Sequence, residues 1–572
     1  MKIFQSLQAL EGGMLTELAI DLRKSVVTAA ALLALVAGMY PLSARALDAE
    51  AGTLVQSGNG AAGMLPALLE SRLAASMRGA EDATLLFYRQ RGFRPAWTRQ
   101  EQLYGLAEAV GGLRDHGLEP SDFALDTLRG EALQDFAEVP VERQVARELL
   151  FTDTLVRLIQ QLRHGRLDPR GLYADWNFSR PARAVEQAAR LGQVLEAQSL
   201  LAAVQAQAPD TALYRQLQVA LKQYRLTAML SAWPRVAEGP TLRPGMRDAR
   251  VAAVRARLVA EGASALESTG DAQRERASHY DETLVEAVKR FQQRAGLASD
   301  GIVGRQTVDA LNISPAQRLA QIRVNLERLR WVAHDMRGDH LMVDLTGYQA
   351  DLVVGGQLAW SSRVIVGKPT RDTPALLDSV QHLVLNPKWV VPPTILREDV
   401  IPGVLRNPEY LASHRMRVVD RSGQAVDPQQ IDWAGARQRG FPYMIVQNSG
   451  ADGSLGVIKF TLANPYSIYL HDTNARSLFR RDSRALSSGC VRVEKSHELA
   501  VLLLDDAQRW SPEALDLELA TGKTRTLPVA REIPVLLHYA TAGLDADGRF
   551  QFRPDIYARD AAVLGALDGL PR

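Results

Sequence analysis

Cysteine is almost missing from the sequence, since Cys490 is the only one among 572 residues. An intramolecular disulfide is therefore excluded, although proteins outside the cytoplasm commonly contain them. No two histidines have metal-ligand spacing either, because His334 and His340 lie across a predicted turn. We therefore expect neither a metal nor a cofactor, and the lone thiol calls for another explanation.

The sequence also lacks an excess of charge of one sign. Its 67 Lys and Arg residues nearly balance 65 Asp and Glu residues, and the formal net charge is +2. A protein whose main ligand is a phosphate polymer usually has a strong basic bias, so nucleic acid is not expected as a partner. With 46% hydrophobic residues, a chain of this length predicts two to four globular domains.

A long apolar run occurs only near the start of the chain. Arg23 and Lys24 precede the apolar stretch 26–40, and an Ala-Arg-Ala sequence ends at Ala46. This pattern is typical of a secretory signal, so we expect residues 1–46 to direct export to the periplasm with cleavage after Ala46, and Met14 is an alternative start of translation. An uncleaved anchor is the alternative and would be the chain's contact with a membrane, although the run is shorter than the roughly 20 residues that span a bilayer.

Residues 47–235 have the pattern of a helical domain. The segment is rich in Leu, Ala, Arg and Gln, and apolar side chains recur at helical spacing in stretches such as 149–162. Pro95, Pro120 and Pro169 mark ends of helices or loops. Its histidines, His116 and His164, are isolated, so no catalytic cluster is predicted in this domain.

Residues 236–313 predict a compact module with two amphipathic helices, 248–258 and 281–295, and a short third one over 305–311. A glycine-bounded turn, Asp300–Gly304, leads to Thr307. The Phe291-Gln292 step and the Asp-Gly-x-x-Gly-x-x-Thr run resemble the peptidoglycan-binding-domain-1 family, a three-helix module. The two glycines also have a purely structural interpretation, as turn residues.

After a linking helix over 314–338, the hydrophobic period changes from helical to alternating. Short β-branched runs separated by turn residues predict a mostly β domain over 339–525, followed by a C-terminal segment, 526–572. Within this domain, residues 386–443 form a polar insertion with two tryptophans and little strand pattern. A loop of this length is usually functional, so we expect a mobile lid, with a packing subdomain as the alternative.

The residues that could carry chemistry lie between Tyr469 and Arg492. A thiol attacks carbonyls only as the thiolate, so Cys490 needs a base, and His471 at a predicted strand end is the candidate. Gly489 allows a tight turn in which the Cys490 amide and a neighbouring amide could bind an oxyanion. Arg492, two residues on, would share a face with Cys490 and suits a substrate carboxylate.

These residues resemble the catalytic signature of the L,D-transpeptidase, or YkuD, family, in which a histidine precedes a Ser/Thr-x-Gly-Cys-x-Arg/Asn run. The run here is Ser487-Ser488-Gly489-Cys490-Val491-Arg492. Ser488 stands where the family often has a second histidine, so that histidine's role is unavailable. Val366-Gly367 and Thr373-Pro374 are similar to the family's strand and Thr-Pro turn, and the domain order is similar to the YcbB-type branch.

The resemblance implies a multidomain α+β protein. It would comprise an N-terminal helical scaffold, a three-helix peptidoglycan-binding module and a mostly β, YkuD-like catalytic domain with a long lid-like insertion. The implied reaction is the formation of a 3→3 peptidoglycan cross-link through a Cys490 thioester, with release of D-Ala from a tetrapeptide stem and without a cofactor. His471 would be the base, Gly489 or Ser488 would supply an oxyanion amide with Cys490, and Tyr469, Ser487 and Arg492 would bind substrate.

Other functions remain open on the sequence. The same nucleophile and base would serve an L,D-carboxypeptidase or cysteine peptidase with water as the acceptor, or an enzyme that uses another amine. A non-catalytic wall-binding scaffold is the alternative from a different class. Cell-wall synthases are further candidate partners.

Overall fold

The structure is a computed structural model, and it describes residues 61–76, 78–79, 82–135, 139–178, 183–230, 233–263, 266, 277–333, 335–450, 453–545 and 547–569. The predicted targeting segment, 1–46, and His334 lie outside the described residues. Within the described residues, no helix is both long enough and apolar enough to cross a membrane.

The chain divides into two compact units. The smaller one comprises residues up to Ala75 together with Pro140–Val145, and its described part includes a helix, Ala61–Ala75, with Pro66 inside it. The larger one comprises Ser76–Val139 and Ala146–Arg572 and contains the predicted module and the candidate site residues.

The N-terminal region is helical, as the hydrophobic spacing predicts. Its described α-helices, numbered α1–α8 in chain order, are Ala61–Ala75, Ala83–Gln90, Gln100–Gly111, Leu125–Ala132, Val141–His164, Ala184–Glu196, Leu200–Gln205 and Ala212–Leu230. Asp82 caps α2 by accepting the Leu85 amide at 2.9 Å, and Ser199 caps α7 through the Ala202 amide. Helix α8 buries Tyr214, Leu217 and Leu221, which lie three and four residues apart on one face.

The module contains helices α9, Ala249–Ala260, α10, Glu282–Arg294, and α11, Arg305–Leu311. Asp248 and Asp281 cap the first two helices. Gln292 holds the motif together, because its Nε2 donates to the Asp300 carboxylate and to the Ile302 carbonyl, both at 2.9 Å, while its Oε1 accepts the Gly301 amide at 2.8 Å.

The linking helix α12, Pro315–Val332, begins at a capping box formed by Ser314 and Gln317. It is buried on its polar as well as its apolar side chains, since Glu327 and Arg330 are both fully buried and form an ion pair. Arg330 also donates to the Tyr214 hydroxyl of α8 at 3.0 Å. Removal of either charge would leave its partner buried and unpaired, at a cost of about 3–5 kcal/mol.

The C-terminal half is built on a ten-stranded sheet. Its strands are β1 His340–Asp344, β2 Gln349–Val354, β3 Gln357–Gly367, β4 Leu376–Leu385, β9 Ile458–Leu462, β10 Leu470–His471, β11 Ala485–Ser487, β12 Val491–Val493, β13 Arg525–Pro528 and β14 Pro534–His538. The long strands β3 and β4 each pair with one set of neighbours in their first half and another in their second, so the sheet folds over a single core. Helices α17, Ser496–Leu504, and α18, Pro512–Ala520, follow β12.

The sheet extends past the predicted domain boundary at residue 525. Strand β14 lies between β1, to which it is parallel, and β4, to which it is antiparallel. The C-terminal segment therefore belongs to the same ten-stranded sheet. It continues through the hairpin β15 Ala542–Leu544 and β16 Phe550–Phe552 into helix α19, Asp560–Leu567.

The insertion has more regular structure than its sequence predicts. Strands β5 Trp389–Val390, β6 Met416–Val419, β7 Ala425–Val426 and β8 Met444–Gln447 form a separate sheet in the order β5-β8-β6-β7. Helices α13–α16 of the insertion are Pro393–Ile395, Ile401–Arg406, Tyr410–Ser413 and Trp433–Arg439, and a π-helical turn, Leu396–Val400, separates the first two. A small apolar core that includes Val400, Leu411 and Ile445 holds these elements together.

Candidate active site

Three neighbouring strands place three polar side chains in one row. His471 of β10 is in register with Arg492 of β12 and with Lys459 of β9. Residues opposite each other in adjacent strands point to the same face, and so do residues two apart along a strand. Cys490 and Tyr469, each two residues before a member of the row, therefore lie at the same face of the sheet.

The turn before β12, residues 487–490, is here called the cysteine turn. The side chain of its first residue, Ser487, stabilises it. The Ser487 hydroxyl donates to the Cys490 carbonyl at 2.6 Å and accepts the Gly489 amide at 3.2 Å. Gly489 has φ +113°, a conformation that favours glycine. Ser487 is buried and its hydroxyl is used in this way, so the side chain supports the turn; the substrate-binding role expected from the sequence stays a prediction.

Thr373 fixes the cysteine turn from the neighbouring loop. Its hydroxyl donates to the Gly489 carbonyl at 2.7 Å and accepts the Gly367 amide at 2.8 Å, and the side chain is fully buried. A Cβ at position 367 would lie 2.3 Å from the Arg371 carbonyl oxygen, which explains a glycine there. The Val366-Gly367 and Thr373-Pro374 motifs were predicted only through a family resemblance, and Thr373 was given no role.

The amides of the cysteine turn are not equivalent. The Gly489 amide is bonded to Ser487, whereas the Ser488 and Cys490 amides have no hydrogen-bond partner among the residues that the structure describes. Two unpaired amides on either side of a left-handed glycine can converge on one anion.

The Cys490 thiol is half-buried, and it donates to the Ser467 carbonyl at 3.6 Å. Burial raises the pKa of the Cys490 thiol, while hydrogen bonding by Tyr469 and the positive charges of Lys459 and Arg492 act in the opposite direction. Ser467 has φ +57°, and the Asn464 side chain, which bonds to both backbone groups of Ile468, holds this segment. The resting sulfur is therefore a thiol with several groups ready to stabilise its anion.

His471 is buried, and its Nδ1 donates to the Asp472 carbonyl. Burial and the positive charge of Arg492 lower the pKa of His471 to about 3, and Lys459 adds to this effect. The neutral ring carries one N–H, so Nε2 holds the lone pair that a base needs. In the described part of the chain no hydrogen bond joins this ring to the Cys490 sulfur. Catalytic contacts are often looser in the absence of substrate.

Arg492 and Lys459 are cations without a carboxylate partner among the described residues. Arg492 Nε is buried and makes no hydrogen bond, and burial lowers the pKa of both side chains. Lys459 Nζ lies 4.1 Å from the centroid of the Tyr469 ring. The face around Cys490 thus presents unneutralised positive charge, which suits a substrate carboxylate.

Tyr469 lies at the same face as the thiol. Burial and the Cys490 sulfur raise the pKa of its hydroxyl, while the Trp389 side chain of β5 acts in the opposite direction. The Tyr469 ring centroid is 5.6 Å from that of His471. Tyr469 was predicted from the sequence, whereas Lys459, Trp389 and Ser467 were not. The register of β9 against β10 would have identified Lys459, whereas the other two have no local signal.

Among the described residues, no group of three or more His, Cys, Asp or Glu side chains is placed to hold a metal ion.

Three protein-family models match the chain. "L,D-transpeptidase catalytic domain", of the YkuD family, matches residues 338–509, "Putative peptidoglycan binding domain" matches 247–311, and "Scaffold domain" matches 82–221. A protein of Haemophilus influenzae named "Putative L,D-transpeptidase" is 37% identical over 272 residues, which are 47% of this chain and 54% of that protein. The chain thus spans about half the length of this curated relative.

Two solved structures show a much weaker likeness. The L,D-transpeptidase from Xylanimonas cellulosilytica is 15% identical, with a TM-score of 0.17 over 53% of this chain and 99% of that chain. The one from Stackebrandtia nassauensis is 13% identical, with a TM-score of 0.18 over 54% of this chain and 97% of that chain. TM-scores this low add no support, so the assignment depends on the sequence matches. On those matches, this multidomain α+β chain has a helical N-terminal region, a module similar to peptidoglycan-binding domains and a β-rich, YkuD-like C-terminal domain.

Proposed function

We propose that the chain is an L,D-transpeptidase of the YcbB-type layout that acts on peptidoglycan outside the cytoplasm and forms 3→3 cross-links. The observation that carries this proposal is the position of Cys490. The only cysteine of the chain lies two residues before Arg492, at the face that carries His471 and Lys459, and within the region that the L,D-transpeptidase model matches. Among the described residues, the Ser488 and Cys490 amides have no hydrogen-bond partner, and Arg492 and Lys459 have no carboxylate partner.

In the first half of the reaction, the Cys490 sulfur attacks the carbonyl of the third stem residue at its bond to the terminal D-Ala. His471 Nε2 takes the thiol proton, and the Lys459 and Arg492 charges stabilise the developing thiolate. The Ser488 and Cys490 amides bind the oxyanion of the tetrahedral intermediate. This intermediate collapses to a thioester, and the proton passes from His471 to the amine of D-Ala as it leaves.

In the second half, a side-chain amine of another stem attacks the thioester. His471 accepts a proton from this amine, the new amide bond forms, and the Cys490 sulfur is released and takes up the proton. Thioester bond and amide bond thus exchange without an oxidant, a reductant or a cofactor.

Substrate binding would use the positive face of the site. Stem peptides carry carboxylates, and Arg492 with Lys459 offers two cations that lack a described carboxylate partner. The Tyr469 ring, next to that of His471 at this face, would give the substrate an aromatic wall. The module over 247–311 would hold the enzyme on the wall polymer.

The insertion would act as a lid. Its Trp389 side chain affects the pKa of Tyr469, and its compact core makes it a folded body instead of a flexible linker. A closed lid would exclude water from the thioester and so favour an amine acceptor over hydrolysis.

Mass spectrometry of muropeptides tests the proposal after purified tetrapeptide sacculi are incubated with the wild-type chain or with Cys490→Ser. We expect 3→3 dimers with the wild type alone. Trimmed tripeptide monomers without dimers would favour an L,D-carboxypeptidase, and no change in the muropeptides would favour a wall-binding scaffold.

A further inference from the structure

Arg371 joins the insertion to the cysteine turn. It lies between β3 and β4, and its side chain is 11% exposed. Its Nη1 donates to the Ser488 hydroxyl at 3.0 Å. On its other side, Nε and Nη2 donate to the Glu398 carboxylate at 3.1 and 2.7 Å, and Nη2 reaches Asp399 at 3.0 Å. One planar guanidinium thus touches three side chains from two separate parts of the fold.

The loop that carries Arg371 is firmly attached to the cysteine turn. Thr373, two residues later, donates to the Gly489 carbonyl. The same loop therefore bonds to the side chain of Ser488 through Arg371 and to the backbone of Gly489 through Thr373. The Ser488 amide is one of the two that we assign to the oxyanion. A shift in the side chain of Ser488 therefore acts on a group that touches the reacting atoms.

The acidic partners of Arg371 lie at the start of the insertion. Glu398 and Asp399 are both on the π-helical turn 396–400, and their side chains are 42% and 41% exposed. If the insertion moves away, water can solvate these two carboxylates. The nearly buried Arg371 would then be left as a charge without a counter-charge, which is unfavourable. π-Helical turns are frequent at functional sites, in keeping with an element that changes position.

We propose that Arg371 is a positioning residue that fixes the oxyanion side of the cysteine turn only while Glu398 and Asp399 of the insertion are in contact with it. Closure of the insertion and assembly of the oxyanion site are then one event. This inference depends on the proposed acylation of Cys490.

Two probes of the full-length chain separate this role from general damage. The first is the rate of acylation by a carbapenem, which needs the oxyanion site, and the second is the rate of alkylation by iodoacetamide, which needs only the thiolate. For Arg371→Ala we expect acylation to fall by about tenfold or more, since loss of a whole oxyanion donor costs about 10²–10³, while alkylation changes by less than about threefold. Arg371→Lys keeps the positive charge but not the planar set of guanidinium donors, so its rate of acylation should fall less than that of Arg371→Ala.

The double variant Glu398→Gln, Asp399→Asn tests the dependence on the insertion, and we expect acylation to fall about threefold to tenfold with alkylation unchanged. Arg397→Ala is the matched control, because Arg397 also pairs with Glu398, at 3.1 Å, but is 63% exposed and makes no contact with the cysteine turn in the described structure. It should acylate like the wild type. If Arg371→Ala is unstable by thermal unfolding, Ser488→Ala removes only the acceptor and should slow acylation in the same selective way.

The proposal is overturned if Arg371→Ala and Ser488→Ala acylate within about twofold of the wild type, if both probes slow together, or if Arg397→Ala matches the acidic double variant. Failure of the proposed function has a different signature, namely a carbapenem adduct that persists in Cys490→Ala or no adduct on the wild type.

Discussion

The module and the catalytic domain each contain a glycine-bearing turn with polar residues, but the two turns use those residues differently. In the module, both ends of the buried Gln292 amide are bonded to the turn Asp300–Ile302. In the cysteine turn, Ser487 does this structural work, while the neighbouring thiol and two amides remain available. A motif whose polar groups are all hydrogen-bonded to one another maintains a fold. Polar groups left without such bonds, on a turn that other residues hold in place, can take part in chemistry.

Replacement of the nucleophile tests the chemical role of the cysteine turn and should have the largest effect. Cys490→Ala removes the attacking atom, so we expect cross-linking to fall by at least about 10³-fold, while stability falls by only about 1 kcal/mol. Muropeptide analysis and denaturant unfolding measure the two quantities. Activity within tenfold of the wild type would rule out the thioester.

Gln292→Leu tests the structural role of the turn in the module. It keeps the approximate size of the side chain but leaves the Gly301 amide and other groups unpaired, so we expect a loss of about 2–4 kcal/mol in the free energy of unfolding. Gln293→Leu is the matched control, because the Gln293 side chain makes a single described hydrogen bond, to Asp545 at 3.1 Å, and its loss should cost less than about 1 kcal/mol. Alkylation of Cys490 should not change in either variant. Equal losses of stability would contradict the structural role of Gln292.

The pH dependence of alkylation sharpens the account of the cysteine turn. The pKa of the Cys490 thiol is raised and that of His471 is lowered to about 3, so both groups are neutral between pH 5 and 8. The thiolate fraction, and with it the rate of reaction with iodoacetamide, should rise about tenfold per pH unit up to pH 8. A plateau below pH 7 would instead indicate a thiolate–imidazolium pair.

Shortening the tip of the insertion, residues 420–426, should have the smallest effect. Asp420 organises this turn between β6 and β7, which lies on the strand pair away from Trp389. A shorter tip should admit water to the thioester and raise the ratio of trimmed tripeptide to dimer by about twofold to fivefold, with acylation intact. The measurement is quantitative muropeptide analysis. An unchanged ratio in a folded variant would refute the gating role.

Local patterns predicted much of this structure. Helical spacing identified the N-terminal helices, and the change to alternating residues located the catalytic strands. The left-handed Gly489 and the shared face of Cys490 and Arg492 also followed from local sequence.

Contacts between distant segments could not be predicted in the same way. Strand β14 enters the sheet through pairing with β1, almost two hundred residues earlier, which leaves no mark on periodicity. The strands of the insertion are two to four residues long, too short for alternation to be recognised. Arg371 has partners 27 and 117 residues away. For Ser487, the residue type suited substrate binding, and only the geometry of the turn revealed its internal bonds.

Trapping of the acyl-enzyme tests the central claim most directly. The wild-type chain would be incubated with a carbapenem or a tetrapeptide stem, and peptide mapping by mass spectrometry would locate any adduct. The account predicts one covalent adduct per chain, on the peptide that contains Cys490, with none on Cys490→Ala. An adduct at another residue, or none on a folded wild-type chain that still alters muropeptides, would contradict it.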